Sequence, residues 1–153
     1  MNILAIDTCT EVASVTLYSS KVKVTRVLTD IAKSSGYILK LCDEVFKEAG
    51  NNLQEVDFIS YTKGPGAFTG VRMCVGVVQG LSLSCGIPTL GFSTLELLAF
   101  RASKILKKEK IATAIDARMG EVYWAVYNNG SISNMRICKP ENVDNLGTSF
   151  VGV

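Results

Sequence analysis

The sequence predicts an α/β protein with one complete half-fold over residues 1–110 and the opening strands of a second copy over residues 111–153. Three observations predict it. A short apolar strand, Ile3-Leu-Ala-Ile-Asp7, ends on a carboxylate and is followed by two more strand patterns. Two helix patterns then alternate with strand patterns, the signature of strands joined by crossovers. Finally, the opening pattern recurs: Ile111-Ala-Thr-Ala-Ile-Asp116 and Glu121-Val-Tyr-Trp-Ala-Val-Tyr127 repeat Asn2–Asp7 and Glu11–Tyr18 at an offset of 109 or 110 residues. A period that long is too long for a solenoid and suits two duplicated domains.

The elements follow in order. Val12–Tyr18 reads as a second strand, and Lys21–Val27 alternates strictly, as a half-exposed edge strand does. Ser19-Ser20 supplies the turn between them. Ser34 or Ser35 is placed to cap a first helix. Its apolar positions Ile38, Leu41, Cys42, Val45, Phe46 and Ala49 follow the i, i+3, i+4, i+7 stripe, and Gly50 stands where the helix should stop. Val56–Tyr61 is a strand. Gly64-Pro-Gly-Ala-Phe-Thr69 is a loop, with Gly66 expected at positive φ and Thr69 as N-cap. A second helix runs from Gly70 to about Cys85 and is apolar or small on nearly every face, so it should be covered on more than one side. Thr89–Gly91 is a short strand. Ser93-Thr-Leu-Glu96 has the spacing of a capping box and opens a third helix to about Lys107. Beyond the repeat, Ser131–Cys138 is the third strand of the second copy. Those three strands need a cover for their apolar face.

Composition excludes several function classes. There is no histidine among the 153 residues. That removes His-ligated zinc, Ser-His-Asp triads and Cys-His pairs together. The net charge is +2, which is no nucleic-acid signature for the whole chain. The densest basic cluster is Arg101, Lys104, Lys107, Lys108 and Lys110. It falls at a helix C-terminus, where cations complement the dipole, and an RNA patch is the other reading of the same residues. The five cysteines are odd in number and widely spaced, so a reduced, cytoplasmic thiol state is expected. The apolar run Val71–Cys85 contains Arg72, Gln79, two glycines and two serines, and a membrane span is not expected.

The loops carry the chemistry. Strand–Asp–turn–strand in each of two domains is how the actin, hexokinase and Hsp70 superfamily grips ATP phosphates. The architecture expected here is accordingly the RNase H-like, actin-like one. Those turns want glycine, so that backbone N–H groups approach the phosphates. Here Asp7-Thr8-Cys9-Thr10 has hydroxyls but a cysteine in the glycine position, and Asp116-Ala117-Arg118 has neither hydroxyl nor glycine. These read as vestigial phosphate loops: Asp7, Thr8, Thr10, Gly64, Gly66, Thr69 and Asp116. The simpler reading is that both aspartates end strands and hydrogen-bond their own turns. No catalytic residue and no metal ligand is assigned. A degenerate ATP-binding phosphotransferase or ATPase is the alternative.

Gly76 and Gly80 lie four apart on the second helix, with Ser84 next, a spacing that lets another helix approach closely. Three strings, Gly64-Pro-Gly-Ala-Phe-Thr-Gly-Val-Arg72, Gly76-Val-Val-Gln-Gly80 and Ala114-Ile-Asp-Ala-Arg-Met-Gly-Glu-Val-Tyr123, together with Ile3-Leu-Ala-Ile-Asp-Thr8, resemble the TsaB (YeaZ) family. The resemblance implies an inactive relative of TsaD, which transfers threonylcarbamoyl to adenosine 37 of ANN-decoding tRNAs. It implies a TsaD-like catalytic partner, a TsaE-like ATPase as a further partner, a homodimer when alone, and at most indirect or weak tRNA contact. ATP and metal are then expected on the partners and no cofactor in this chain. Pairing through the first two helices implies an interface of Ile38, Leu41, Cys42, Val45, Phe68, Arg72, Val75, Gly76, Gln79, Gly80 and Leu83. Family members usually continue well beyond this length, so a shortened second domain is expected.

Overall fold

The computed structural model describes residues 1–29, 36–146 and 150–152. They form two compact units, Met1–Phe92 and Ser93–Val153. The contact boundary thus lies at Phe92, not at residue 110, because the third helix packs on the second sheet rather than the first.

Unit one is a five-stranded mixed sheet in the order β3-β2-β1-β4-β5. The strands are β1 (Ile3–Asp7), β2 (Ala13–Tyr18), β3 (Lys23–Leu28), β4 (Phe58–Thr62) and β5 (Thr89–Phe92). β1, β2 and β3 are antiparallel neighbours, and β4 and β5 run parallel to β1. Register fixes the faces. Leu4 stands opposite Leu17 on one side and Ile59 on the other, and Leu17 opposite Val24. Leu4, Leu17, Val24 and Ile59 therefore share one face with Ile6 and Val15, and all six are buried.

Helices α1 (Ile38–Ala49) and α2 (Phe68–Cys85) pack on that sheet, α1 against β2 and β3, α2 against β4 and β1. α1 buries Ile38, Leu41, Cys42 and Val45, the i, i+3, i+4, i+7 stripe of its sequence. It stops at Gly50 in the left-handed region, φ 66°, where the chain reverses at no Cβ cost. The expected caps Ser34 and Ser35 lie outside the described residues, and Tyr37 occupies the N-cap position. Arg26 of β3 ties α1 to the sheet edge through Glu44 and Glu48.

Unit two begins with α3 (Thr94–Leu106), followed by β6 (Lys110–Arg118), β7 (Glu121–Asn128), β8 (Ser131–Cys138) and β9 (Val151–Gly152). The sheet order is β8-β7-β6-β9. The second sheet therefore has a fourth, two-residue strand parallel to β6 beyond the three expected. Asn129-Gly130 joins β7 to β8 with φ 48° and 88°, the Asn-Gly hairpin turn in which both central residues need positive φ. Each face of this sheet has its own cover. Ala99 and Ala102 of α3 pack on Ile111 and Tyr127. On the other face Ala112, Trp124 and Val126 meet Val143, Leu146 and Phe150 of the segment after β8. That segment is pinned by Asp144, whose carboxylate accepts from Arg136 at 2.9 and 3.1 Å and from the Trp124 indole at 3.4 Å. The Ser93–Glu96 capping box does not form: Ser93 is the N-cap residue, but its hydroxyl lies 3.6 Å from the Met135 sulfur and caps no backbone N–H.

Candidate functional site

Both aspartate turns are built alike. Asp7 Oδ1 accepts the backbone N–H of Cys9 at 2.9 Å, and Asp116 Oδ1 accepts that of Arg118 at 2.7 Å. Each carboxylate closes its own turn two residues on, as Asp does at strand ends.

In the first turn the hydroxyls and the Asp7 Oδ1 oxygen bond within the chain. Thr62 donates to Asp7 Oδ1 at 2.7 Å. Thr8 is fully buried and donates to the Gly70 carbonyl at 2.6 Å, which anchors the first turn of α2. Thr10 donates to the Val12 carbonyl at 3.1 Å. The Gly64–Gly70 loop sits directly on the turn, with Ala67 N–H donating to the Cys9 carbonyl at 2.8 Å. Two glycines make that seating possible. A Cβ on Gly66 would lie 2.0 Å from the Cys9 oxygen, and one on Gly70 would lie 2.0 Å from the Thr8 oxygen. The positive φ expected at Gly66 is found at Gly64, φ 93°; Gly66 is required for close approach instead. The N-cap is Ala67 rather than Thr69, which is exposed within the first helical turn.

The second turn is open. Asp116 and Arg118 are both largely exposed, 3.8 Å apart. Arg118, Met119 and Gly120 all have positive φ, at 70°, 55° and 78°, and Met119 is 98% exposed. Two consecutive side-chain-bearing residues in the left-handed region cost about 1–2 kcal/mol each.

Among the described residues no group of three or more Cys, Asp or Glu could hold a metal ion. The buried thiols are unreactive in character. Burial pushes Cys42 up to about 12 and Cys74 up to about 11.

The two helices divide the expected interface residues. Ile38, Leu41, Cys42 and Val45 belong to the core of unit one, against its own sheet. They present nothing to a partner: an amphipathic stripe marks burial without saying against what. Phe68, Arg72, Gly76, Gln79, Gly80 and Leu83 form instead one exposed line along α2, with Val75 half-buried beside it. Phe68 is 68% and Leu83 85% exposed. The Arg72 guanidinium stacks 3.5 Å from the centre of the Phe68 ring, a cation–π contact on the open face. Nothing lies within 4 Å of a Cβ placed on Gly76 or Gly80. α2 has a mean hydropathy of 1.3 over 18 residues, long and apolar enough by that measure to cross a membrane, yet Gly70, Cys74 and Val78 seat its inner face in the unit-one core. Outside the expected set, Tyr37 and Leu39 also stand exposed at the start of α1. Leu39 falls off the i, i+3, i+4 stripe, which is the signal that could have found it.

Comparison with known proteins places this architecture. Residues 30–150 match the family model described as TsaD: tRNA N6-adenosine threonylcarbamoyltransferase. A protein from Pseudomonas aeruginosa described as similar to peptidase YeaZ superposes with a TM-score of 0.89 at 37% identity, over 99% of this chain and 74% of that one. The chain belongs to the TsaB (YeaZ) family. Its fold is the RNase H-like, actin-like α/β fold of that family. TsaB of Escherichia coli K12, named a tRNA threonylcarbamoyladenosine biosynthesis protein, is 39% identical over 127 residues, 83% of this chain and 55% of that protein. TsaB of Buchnera aphidicola from Schizaphis graminum is 39% identical over 125 residues, 82% of this chain and 60% of that protein. The chain thus spans between half and two thirds of the length of these curated relatives.

Proposed function

We propose that this chain serves threonylcarbamoyl transfer to adenosine 37 of ANN-decoding tRNA as a non-catalytic partner subunit, binding and supporting a TsaD-like catalytic subunit. The observation that carries this reading is the open face of α2. A helix whose outward line is Phe68, Arg72, Gly76, Gln79, Gly80 and Leu83 leaves large apolar side chains in water. Burying a side chain the size of Phe or Leu contributes about 1.5–3 kcal/mol. The two open glycines allow a partner helix to come close between those anchors.

The loops support the non-catalytic part of the reading. The first aspartate turn spends Asp7, Thr8 and the Cys9 backbone on its own chain. ATP and metal then belong to the catalytic partner and to a TsaE-like ATPase, with contact to tRNA indirect or weak. In the absence of the partner, the same α2 face pairs two copies of this chain. The setting is cytoplasmic.

The test is direct association. The chain is mixed with a TsaD-like subunit at micromolar concentration and followed by size exclusion and calorimetry. A complex is expected, and Gly80→Glu abolishes it without loss of folded signal. No association, or an unchanged complex in folded Gly80→Glu, overturns the reading. Deleting the gene and measuring tRNA nucleosides by mass spectrometry tests the pathway: threonylcarbamoyladenosine is expected to disappear.

A further inference from the structure

The basic cluster at the end of α3 has a feature that charge at a helix C-terminus does not require. Phe100, Ser103, Lys104, Lys107, Lys108, Glu109, Tyr127, Asn129 and Gly130 line an open cleft of about 790 Å³ within unit two. That volume lies in the usual range for ligand sites. Three lysines face one glutamate there, and among the described residues none of the three has an ion-pair partner. Phe100 is 49% exposed, and Lys104 Nζ stands over its ring, 5.2 Å from the centre. Tyr127 is buried beneath, part of the α3–sheet core, and makes a rigid wall. Backbone geometry holds the rim. Lys107 ends α3 in the left-handed region, φ 53°, and Lys108 N–H returns to the Ser103 carbonyl at 3.2 Å. Across the cleft, Asn129 N–H donates to the Glu109 carbonyl at 3.0 Å, which fixes the β7–β8 hairpin turn.

A compensated helix dipole needs cations near the last turn but no aromatic surface and no concavity. Lysines beside a half-exposed aromatic ring in a cleft suit a phosphate ester that carries a flat base: the phosphates lie among the ammonium groups and the base stacks on the ring. We propose that this cleft binds a nucleotide unit, with Lys104, Lys107 and Lys108 on phosphate and Phe100 under the base. The cleft is open to solvent, so the unit can be part of a single-stranded RNA or a free nucleotide. The site shares no residue with α2, and its failure leaves subunit association to be judged by its own measurement.

The experiment is fluorescence anisotropy of a labelled oligouridine 12-mer with the full chain, at 50 and 200 mM salt, with adenosine monophosphate as unlabelled competitor. With three lysines on phosphates, log K against log salt should slope by roughly −2, so affinity falls roughly 20-fold across that range. Lys104→Gln/Lys108→Gln should flatten the slope to roughly −0.7. Phe100→Leu keeps an apolar side chain but removes the ring, and should weaken binding roughly tenfold. Tighter binding of the 12-mer than of the monophosphate supports the strand as the source. Equal affinity per site supports a free nucleotide. No binding of either, an unchanged salt slope in the double variant, or unchanged affinity in Phe100→Leu overturns the proposal. Circular dichroism melts on each variant confirm that folded protein was measured.

Discussion

Helices α1 and α2 lie on one sheet and share one core, yet they leave opposite things outside. α1 turns its apolar stripe inward and shows Lys40, Asp43, Lys47 and Glu48 to water, with Asp43 and Lys47 paired at 2.6 Å one turn apart. α2 is apolar on both sides, and one sheet can cover only one of them. The difference teaches that an apolar pattern in a helix does not by itself say which of its faces the fold will cover. Val45 and Leu83 are both aliphatic, but the first is buried by its own fold and the second stands 85% exposed.

The comparison breaks hardest at Val45. Its side chain is fully buried, so Val45→Asp places an unpaired charge in the core and should cost about 4 kcal/mol or more. The expected result is loss of a cooperative thermal transition. A normal melt would show that α1 does not carry the core.

Gly80→Glu probes the other helix. The position is open, and replacing a mid-helix glycine should stabilise α2 by about 0.5–1 kcal/mol. Association should weaken by roughly 100-fold, because an uncompensated charge buried in an apolar contact costs about 3 kcal/mol. Sedimentation velocity together with thermal melts checks both signs at once. A variant that is less stable and equally well associated would reverse the roles assigned to the two helices.

A smaller effect sharpens how α2 is held. Thr8→Val removes the hydroxyl's hydrogen bond to the Gly70 carbonyl, an oxygen in the first turn of α2. About 0.5–1.5 kcal/mol of stability should be lost in denaturant titration, with association unchanged once the protein is folded.

The smallest effect lies in unit two. A hydrogen bond from Arg136, opposed by desolvation and helped by the Trp124 indole, holds the Asp144 carboxyl below the usual carboxylate range. A lowered folded-state pKa means that the stabilisation is complete above the unfolded-state value of about 3.9 and is lost as pH falls through the folded one. Asp144→Asn should therefore melt below the parent at pH 7, with the gap closing as pH falls below the ordinary carboxylate range, followed by Trp124 fluorescence. A gap that persists in acid would mean that the segment after β8 is held by packing alone.

How much of this was legible in the residues differs by feature. Local patterns were. Ile3–Asp7 was placed by its apolar run ending on a carboxylate, the strand from Lys21 by alternation, α1 by its stripe and Gly50, and the strands from Ile111 by their likeness to the opening ones. The two Asp turns were also legible as turns, since Asp bonding two residues ahead is a local interaction. What a loop touches across 50 or more residues was not. Gly66 and Gly70 are glycines because of the Cys9 and Thr8 carbonyls, and no pattern within the loop reveals that. Ser93 has the spacing of a capping box and does not use it, because a hydroxyl takes whichever neighbour the tertiary packing offers.

The sequence by itself determined the order of strands and helices, the absence of histidine, and that Cys9 and Arg118 rather than glycine stand two residues after Asp7 and Asp116. Each of these depends on residue type or on spacing within one turn of structure. Only the tertiary structure decided that α3 covers the second sheet, that Ile38, Leu41, Cys42 and Val45 are core while Phe68, Arg72, Gly76, Gln79, Gly80 and Leu83 remain open, and that the lysines at the end of α3 and just after it line a cleft with Phe100. The physical reason is that hydrophobicity has no direction. A side chain's composition states that it will be buried, and only the packing of distant segments states against what.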